Sequence, residues 1–170
     1  MKQLWAPWRM AYVEEGAREN GCIFCGKLRS RDPRADLVLT HTAHTVVMLN
    51  KFPYNNGHLL LAPKRHEKSL ALLPAEEFTD LNEALRRSIE IVREIVRPGG
   101  VNLGMNLGRC AGAGIEDHLH WHVVPRWEGD TNFMPVLGET RVMPQHLLES
   151  YDRLQPFFQN LSVSAPAEQK

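Results

Sequence analysis

Seven consecutive residues, His118-Leu119-His120-Trp121-His122-Val123-Val124, constrain this chain more than any other stretch of it. Side chains of an extended segment point alternately to its two faces. The spacing therefore predicts a strand over 118–124, with three imidazoles on one face and Leu119, Trp121 and Val123 on the other. The apolar face needs a core to pack on, so the histidine face looks away from that core. Next-but-one positions lie ~6.6–6.8 Å apart along a strand, so three imidazoles in a row can meet successive parts of one extended ligand, such as a phosphate chain. A neutral imidazole can attack phosphorus, and an imidazolium can donate to phosphate oxygens. Two other readings share this spacing. One is a half-exposed strand with surface histidines; the other is a metal site, because His-x-His on a strand also suits zinc.

The rest of the chain supplies the scaffold. Residues 36–40 and 44–50 are rich in Val and Leu and predict a β-hairpin. Pro53, Asn55, Asn56 and Gly57 mark a turn, and 59–62 read as a third, central strand ending at Pro63. Pro74, Glu76 and Glu77 suit the start of a helix whose apolar face carries Phe78, Leu81, Leu85, Ile89, Val92 and Val96. Pro98-Gly99-Gly100 stops it. Residues 101–107 read as a strand, 108–114 as a glycine-bearing loop, and 145–158 as a second helix after Pro144. Strands around one long helix, joined mostly by short links, predict an α+β fold with a largely antiparallel sheet of about five strands. At 170 residues this is one domain, 1–161, with a frayed polar tail over 162–170.

Twenty basic residues balance twenty acidic ones, which argues against broad capture of nucleic acid or an anionic membrane. No apolar run approaches the ~20 residues of a membrane span, and the arm before Val13 lacks a secretory signal. Three cysteines, an odd number, point to a reducing, cytoplasmic setting where close cysteine pairs more often bind metal than form disulfides. Cys22-Ile23-Phe24-Cys25 has the spacing of a zinc knuckle and supplies half a ligand set; two metal-free thiols are the alternative. Cys110 stands alone in the loop. Arg109, Arg126, Trp127, Lys64 and Arg65 are candidate phosphate clamps or solvated surface residues. Trp5 and Trp8 suit a core or subunit boundary, and His41, His44 and His146 receive no role.

The histidine segment resembles the signature of the histidine-triad (HIT) family, His-φ-His-φ-His-φ-φ with φ apolar. The upstream run of Asn50, Asn56-Gly57-His58-Leu59-Leu60-Leu61-Ala62-Pro63 and His66 resembles the same family. Leu4-Trp5-Ala6-Pro7-Trp8-Arg9 and Pro125-Arg126-Trp127 are similar to its bacterial diadenosine tetraphosphate phosphorylase-like members. The resemblance implies cleavage of nucleoside polyphosphates, with diadenosine polyphosphates foremost, at the α-phosphate through a covalent nucleotidyl-His120. His122 would bond the phosphate and assist the leaving group, His118 would support the site, and His58 would be the buried helper. Asn50 would bind ribose, and Asn106 and Gly108 would lie at the phosphate. A structural zinc would be completed by His66 and His118 with Cys22 and Cys25. A homodimer with two sites is also implied, with 138–144 and the last helix reaching the partner. Many relatives carry Gln, Ser or Thr shortly before the triad. This chain has Ala113-Gly114-Ile115-Glu116-Asp117, where two carboxylates would repel phosphate if they faced it. The rival functions are a nucleotide-binding regulator without turnover and a zinc-centred hydrolase ligated by the triad itself.

Overall fold

The computed structural model describes residues 21–130, 145–159 and 161. The N-terminal arm with Trp5 and Trp8, the segment 138–144 and the tail from 162 lie outside them. The sheet has five strands: β1 (Val38–His41), β2 (Thr45–Leu49), β3 (Leu59–Pro63), β4 (Gly100–Met105) and β5 (Trp121–Arg126). Their order is β1-β2-β3-β5-β4, every neighbour antiparallel. The helices are α1 (Ile23–Lys27), α2 (Ala75–Ile95) and α3 (Leu147–Phe158). This is the expected α+β architecture. Helix α2 carries the chain from β3, in the middle, to β4, at the edge, so that β5 returns between them.

Every residue of β2 and β3 is buried, because both faces of the sheet are covered. On one face Val47, Leu49, Leu59, Leu61 and Val123 pack with Leu81, Ala84 and Val92 of α2 and Leu154 and Phe158 of α3. On the other, Val38, Val46, Met48, Leu60 and Ala62 cluster around Phe24 of α1. The chemistry sits on this second face.

The triad strand differs from the expected 118–124: its ladder begins at Trp121 and runs through Pro125 to Arg126. Two prolines set these limits. Pro63 has no N–H to extend the β3–β5 ladder, its carbonyl accepts from His118 Nε2 (2.8 Å), and Leu119 donates instead to the Glu67 carbonyl (2.8 Å). Pro125 is tolerated because the β3 rungs have already ended at Leu59–Val123. Its own carbonyl, on that side, accepts from Asn55 Nδ2 (3.2 Å).

The buried face of α2 also differs from its apolar pattern. Phe78 is 42% exposed, whereas Glu77 and Asp80 are buried. Glu77 forks onto the Arg65 guanidinium (2.6 Å), and Asp80 accepts from Thr42 Oγ1 (2.5 Å), Thr45 Oγ1 (2.7 Å) and the His44 N–H (3.1 Å). One carboxylate thus closes the whole β1–β2 turn. Asp80→Ala leaves two hydroxyls and an amide beneath α2 without this acceptor, and should cost about 2–4 kcal/mol. Urea unfolding should show a lower midpoint at unchanged slope; an unchanged midpoint would mean that water replaces the carboxylate at no cost. His146 caps α3, its Nδ1 accepting from the Leu148 N–H (3.3 Å).

Candidate functional site

Although His118 and His120 precede the ladder, the three imidazoles keep to one face. Phe24 lies against His118 (ring centroids 5.0 Å apart) and His120 (4.9 Å), and His120 lies 4.9 Å from His122. Strand β5 places His122 opposite Leu60, on the Phe24 side of the sheet.

The partners of the ring nitrogens fix where the protons sit. The His118 carbonyl accepts from His120 Nδ1 (2.9 Å), which leaves Nε2 of His120 as the atom with a lone pair. His58 Nδ1 accepts from the Tyr54 backbone N–H (3.0 Å), so its proton is on Nε2 and is donated to His122 Nδ1 (3.0 Å). That leaves His122 with its proton on Nε2. A base and a donor, 4.9 Å apart by centroid, thus share one face. Burial lowers the pKa of His120. Burial, then the neighbouring His120, holds His122 down at about 4. Both rings are therefore neutral near pH 7.

His58 is fully buried in the β2–β3 turn, and Gly57 makes that possible. Gly57 has φ +71°, and an added Cβ would also come within 3.5 Å of Pro125 and 3.7 Å of Val96. Asn50 closes the same turn: Oδ1 accepts from the Phe52 N–H (2.9 Å), and Nδ2 lies 3.3 Å from His58 Nδ1. Asn50 also lines a cavity of about 1030 Å³ with Ile23, Leu37, Met48 and Leu60, and with Lys51 and Arg109 among its charged residues; the triad histidines are not among the residues that line it. That is ample for a nucleoside, and its walls are mostly apolar, as such sites require.

The loop after β4 is fastened to itself. Gly108, at φ +84°, opens a 3-10 turn over Arg109–Ala111, and its carbonyl accepts from the N–H groups of Ala111 (3.1 Å) and Ala113 (3.3 Å). Asn106 Nδ2 donates to the Gly112 carbonyl (3.3 Å). Glu116, which looked hostile to phosphate, pairs with the exposed Arg109 (3.0 Å). Arg126 is forked onto Asp130 (2.6 and 2.7 Å), and Lys64 donates to the carbonyls of Thr42 and Ala43.

A second cluster gathers Cys22, Cys25, His66 and His118, whose ligand atoms lie within 4.8 Å of one another. Cys22 Sγ is 3.2 Å and Cys25 Sγ 3.7 Å from His118 Nδ1, and Cys25 Sγ is 3.3 Å from His66 Nδ1. The edges of a tetrahedron built from zinc–sulfur and zinc–nitrogen bonds are ~3.3–3.8 Å, so this Cys₂His₂ set fits zinc. His118 is prepared for such a role: Nε2–H donates to the Pro63 carbonyl, which leaves the Nδ1 lone pair facing the sulfurs. Among the described residues His120 and His122 are not part of this cluster. Burial, then Cys22, pushes the Cys25 thiol up.

Two aromatic residues of the site had drawn no notice in the sequence. Phe24 was hidden inside the Cys-x-x-Cys motif. Tyr54 stacks on His122 (5.8 Å, 15° between planes) and leans on His58 (4.7 Å, 40°).

Residues 33–129 match the HIT domain family. An AP-4-A phosphorylase of Mycobacterium tuberculosis (strain ATCC 25618 / H37Rv) is 34% identical over 157 residues, covering 88% of this chain and 80% of that protein. A bis(5'-adenosyl)-triphosphatase of Dictyostelium discoideum is 34% identical over 89 residues, 52% of this chain and 59% of that protein. A solved structure of a Zn-bound histidine triad family protein from Mycobacterium smegmatis is similar at a TM-score of 0.65 and 25% identity, covering 83% of this chain and 95% of that one.

Proposed function

The chain belongs to the HIT domain family, and on that premise we propose that it transfers a nucleotidyl group in two steps through His120. It is an enzyme of nucleotides, a hydrolase or transferase acting on diadenosine polyphosphates. In the first step the His120 Nε2 lone pair attacks the α-phosphorus, an Nε2–P bond forms, and the bond from that phosphorus to the bridging oxygen breaks. The oxygen leaves as part of the polyphosphate anion, its growing charge stabilised by a hydrogen bond from His122 Nε2–H, which keeps its proton. In the second step an acceptor oxygen bonds to the phosphorus, the Nε2–P bond breaks to restore the free imidazole, and the proton of the acceptor is lost to solvent. One observation carries this assignment: the proton order of the site leaves a lone pair on His120 and a donor on His122. Such splitting of one hard displacement into two easier ones, with oriented donors at the oxygens, is what phosphoryl chemistry needs.

His58 then orients His122, and His118 acts through its carbonyl, which holds His120 in register. Asn50 serves both the His58 turn and the ribose side of the cavity, while Asn106 and Gly108 shape the loop beside the phosphates. Zinc, held by Cys22, Cys25, His66 and His118, would cross-link α1 to the segments flanking β3 and β5. It supplies structure, not a nucleophile. We also propose a homodimer in the cytoplasm; the dimer is supported by β4, a sheet edge bearing the exposed Leu103, with exposed Leu107 just beyond it. Among the described residues no helix is long and apolar enough to cross a membrane.

The acceptor decides between hydrolase and phosphorylase, and likeness to an AP-4-A phosphorylase favours phosphate. Diadenosine tetraphosphate should yield ATP and ADP when inorganic phosphate is present, and ATP and AMP when water alone accepts. If ADP fails to form at any phosphate concentration while AMP does, the phosphorylase branch is wrong. If neither product forms, the enzyme assignment fails with it.

A further inference from the structure

We propose that Tyr54 is a positioning residue that sets the proton order of the His58–His122 pair and thereby makes His122 the donor to the leaving group. The proposal deepens the nucleotidyl-transfer reading and rests on it for the identity of the leaving group.

Tyr54 acts on this pair at two points. Its backbone N–H, a group that can only donate, points at His58 Nδ1 from 3.0 Å. That atom must then be the unprotonated nitrogen of His58, which forces the proton onto Nε2 and towards His122. Its ring stacks nearly parallel on His122, 15° between planes with centroids 5.8 Å apart, and leans on His58 at 4.7 Å. The two contacts are complementary: the amide decides which nitrogen of His58 carries hydrogen, and the ring holds both imidazoles, tilted 46° to one another, in the orientation where that hydrogen reaches Nδ1 of His122 (3.0 Å). Were the order reversed, His122 would donate inward to His58 and present a lone pair to the phosphate oxygens. Two lone pairs facing an anion would repel it where the reaction needs a donor. The Asn50 amide, 3.3 Å from the same His58 Nδ1, reinforces the order but touches neither ring face of His122. With 47% of its surface exposed, Tyr54 holds the pair from the solvent side, opposite the buried side on which His58 is anchored by the Asn50–His58 and Asn55–His58 backbone bonds.

The test reads protons first and rates second. In wild-type protein with ¹⁵N-labelled histidine, the ring-nitrogen spectrum should show His122 protonated at Nε2 and His58 protonated at Nε2. A proton on Nδ1 of either ring overturns the proposal without any variant. Tyr54→Phe should keep that spectrum and a kcat within about twofold of wild type. Tyr54→Ala keeps the backbone N–H and so should keep the His58 tautomer, but without the ring His122 loses its fixed orientation, and kcat should fall about ten- to hundredfold, with KM moving less than about threefold. Wild-type kcat in Tyr54→Ala overturns the positioning role, as does a rise in KM alone. Because the alanine variant is judged beside the phenylalanine one and by its own His58 signals, misfolding is recognised by loss of both rings' dispersion, and the wild-type spectrum still decides. If the proton order is as stated but no nucleotidyl-His120 ever forms, the proposed function fails and the part of the proposal that Tyr54 sets the proton order stands.

Discussion

His120→Ala should abolish turnover, by about four orders of magnitude or more, while nucleotide affinity stays within about threefold of wild type. The two effects separate because they reside in different atoms. In the proposed reading, affinity comes from the cavity of about 1030 Å³ lined by Ile23, Leu37, Met48 and Leu60. The proposed covalent step uses one nitrogen, His120 Nε2, whose lone pair is secured by the bond from Nδ1 to the His118 carbonyl. Neither of the other two triad imidazoles is oriented to take over: His122 has its Nδ1 occupied by His58, and both nitrogens of His118 have partners. The direct observation is a phosphoramidate. Substrate labelled at the α-phosphate, quenched in alkali, should leave acid-labile label on the wild-type chain and none on the alanine variant. His122→Ala should still acquire label, about 10²–10³-fold more slowly, since a donor is lost but the nucleophile is not. Full turnover in His120→Ala, or label on a different residue, would end the assignment.

How much of this was legible in the sequence depends on whether the information was local. Alternation of His118, His120 and His122 with Leu119, Trp121 and Val123 is a local pattern, and the shared histidine face followed from it. The hairpin, the central β3 and the long helix rest on equally local periodicities. The limits of β5 were not local. They depend on Pro63, fifty-eight residues before Trp121, which ends the facing ladder, so the strand begins three residues later than its own pattern suggests. Helix α2 misled in the same way. Asp80 reads as a polar-face residue until the β1–β2 turn brings Thr42, His44 and Thr45 against it, and Glu77 until Arg65 does. Tyr54 gave no signal because its contacts, with His58 four residues on and His122 far along the chain, use a backbone amide and a ring face. Neither leaves a motif. The fork of Arg126 onto Asp130 was within reach, since the two are four residues apart, yet side-chain direction after a strand cannot be read from spacing alone.

Removing the proposed zinc should cost about 3–5 kcal/mol and lower the melting temperature by about 10 °C or more, a larger loss than any single surface change could give. The estimate follows from what the cluster joins. Cys22 precedes α1 and Cys25 lies in it, His66 belongs to the segment after β3, and His118 to the segment before β5, so one ion would tie three stretches that are distant in sequence. Without it two thiols, one of them pushed up in pKa by burial, would face two imidazoles that retain only weak S–H donors. Chain-bound zinc should be one per chain in wild type. It should be lost in Cys25→Ser and His66→Ala, and kept in His120→Ala and His122→Ala. Loss in either of the last two would mean that the triad ligates the metal, and the nucleophile assignment would fall with it. The folded fraction of Cys25→Ser should also turn over more slowly, by about three- to tenfold, because the His118 imidazole and the carbonyl that orients His120 belong to one residue. A normal melting temperature after complete loss of metal would show that the sheet and α1 hold together unaided. In that case His118 would orient His120 through its bond to Pro63 alone, and the rate should stay at the wild-type value.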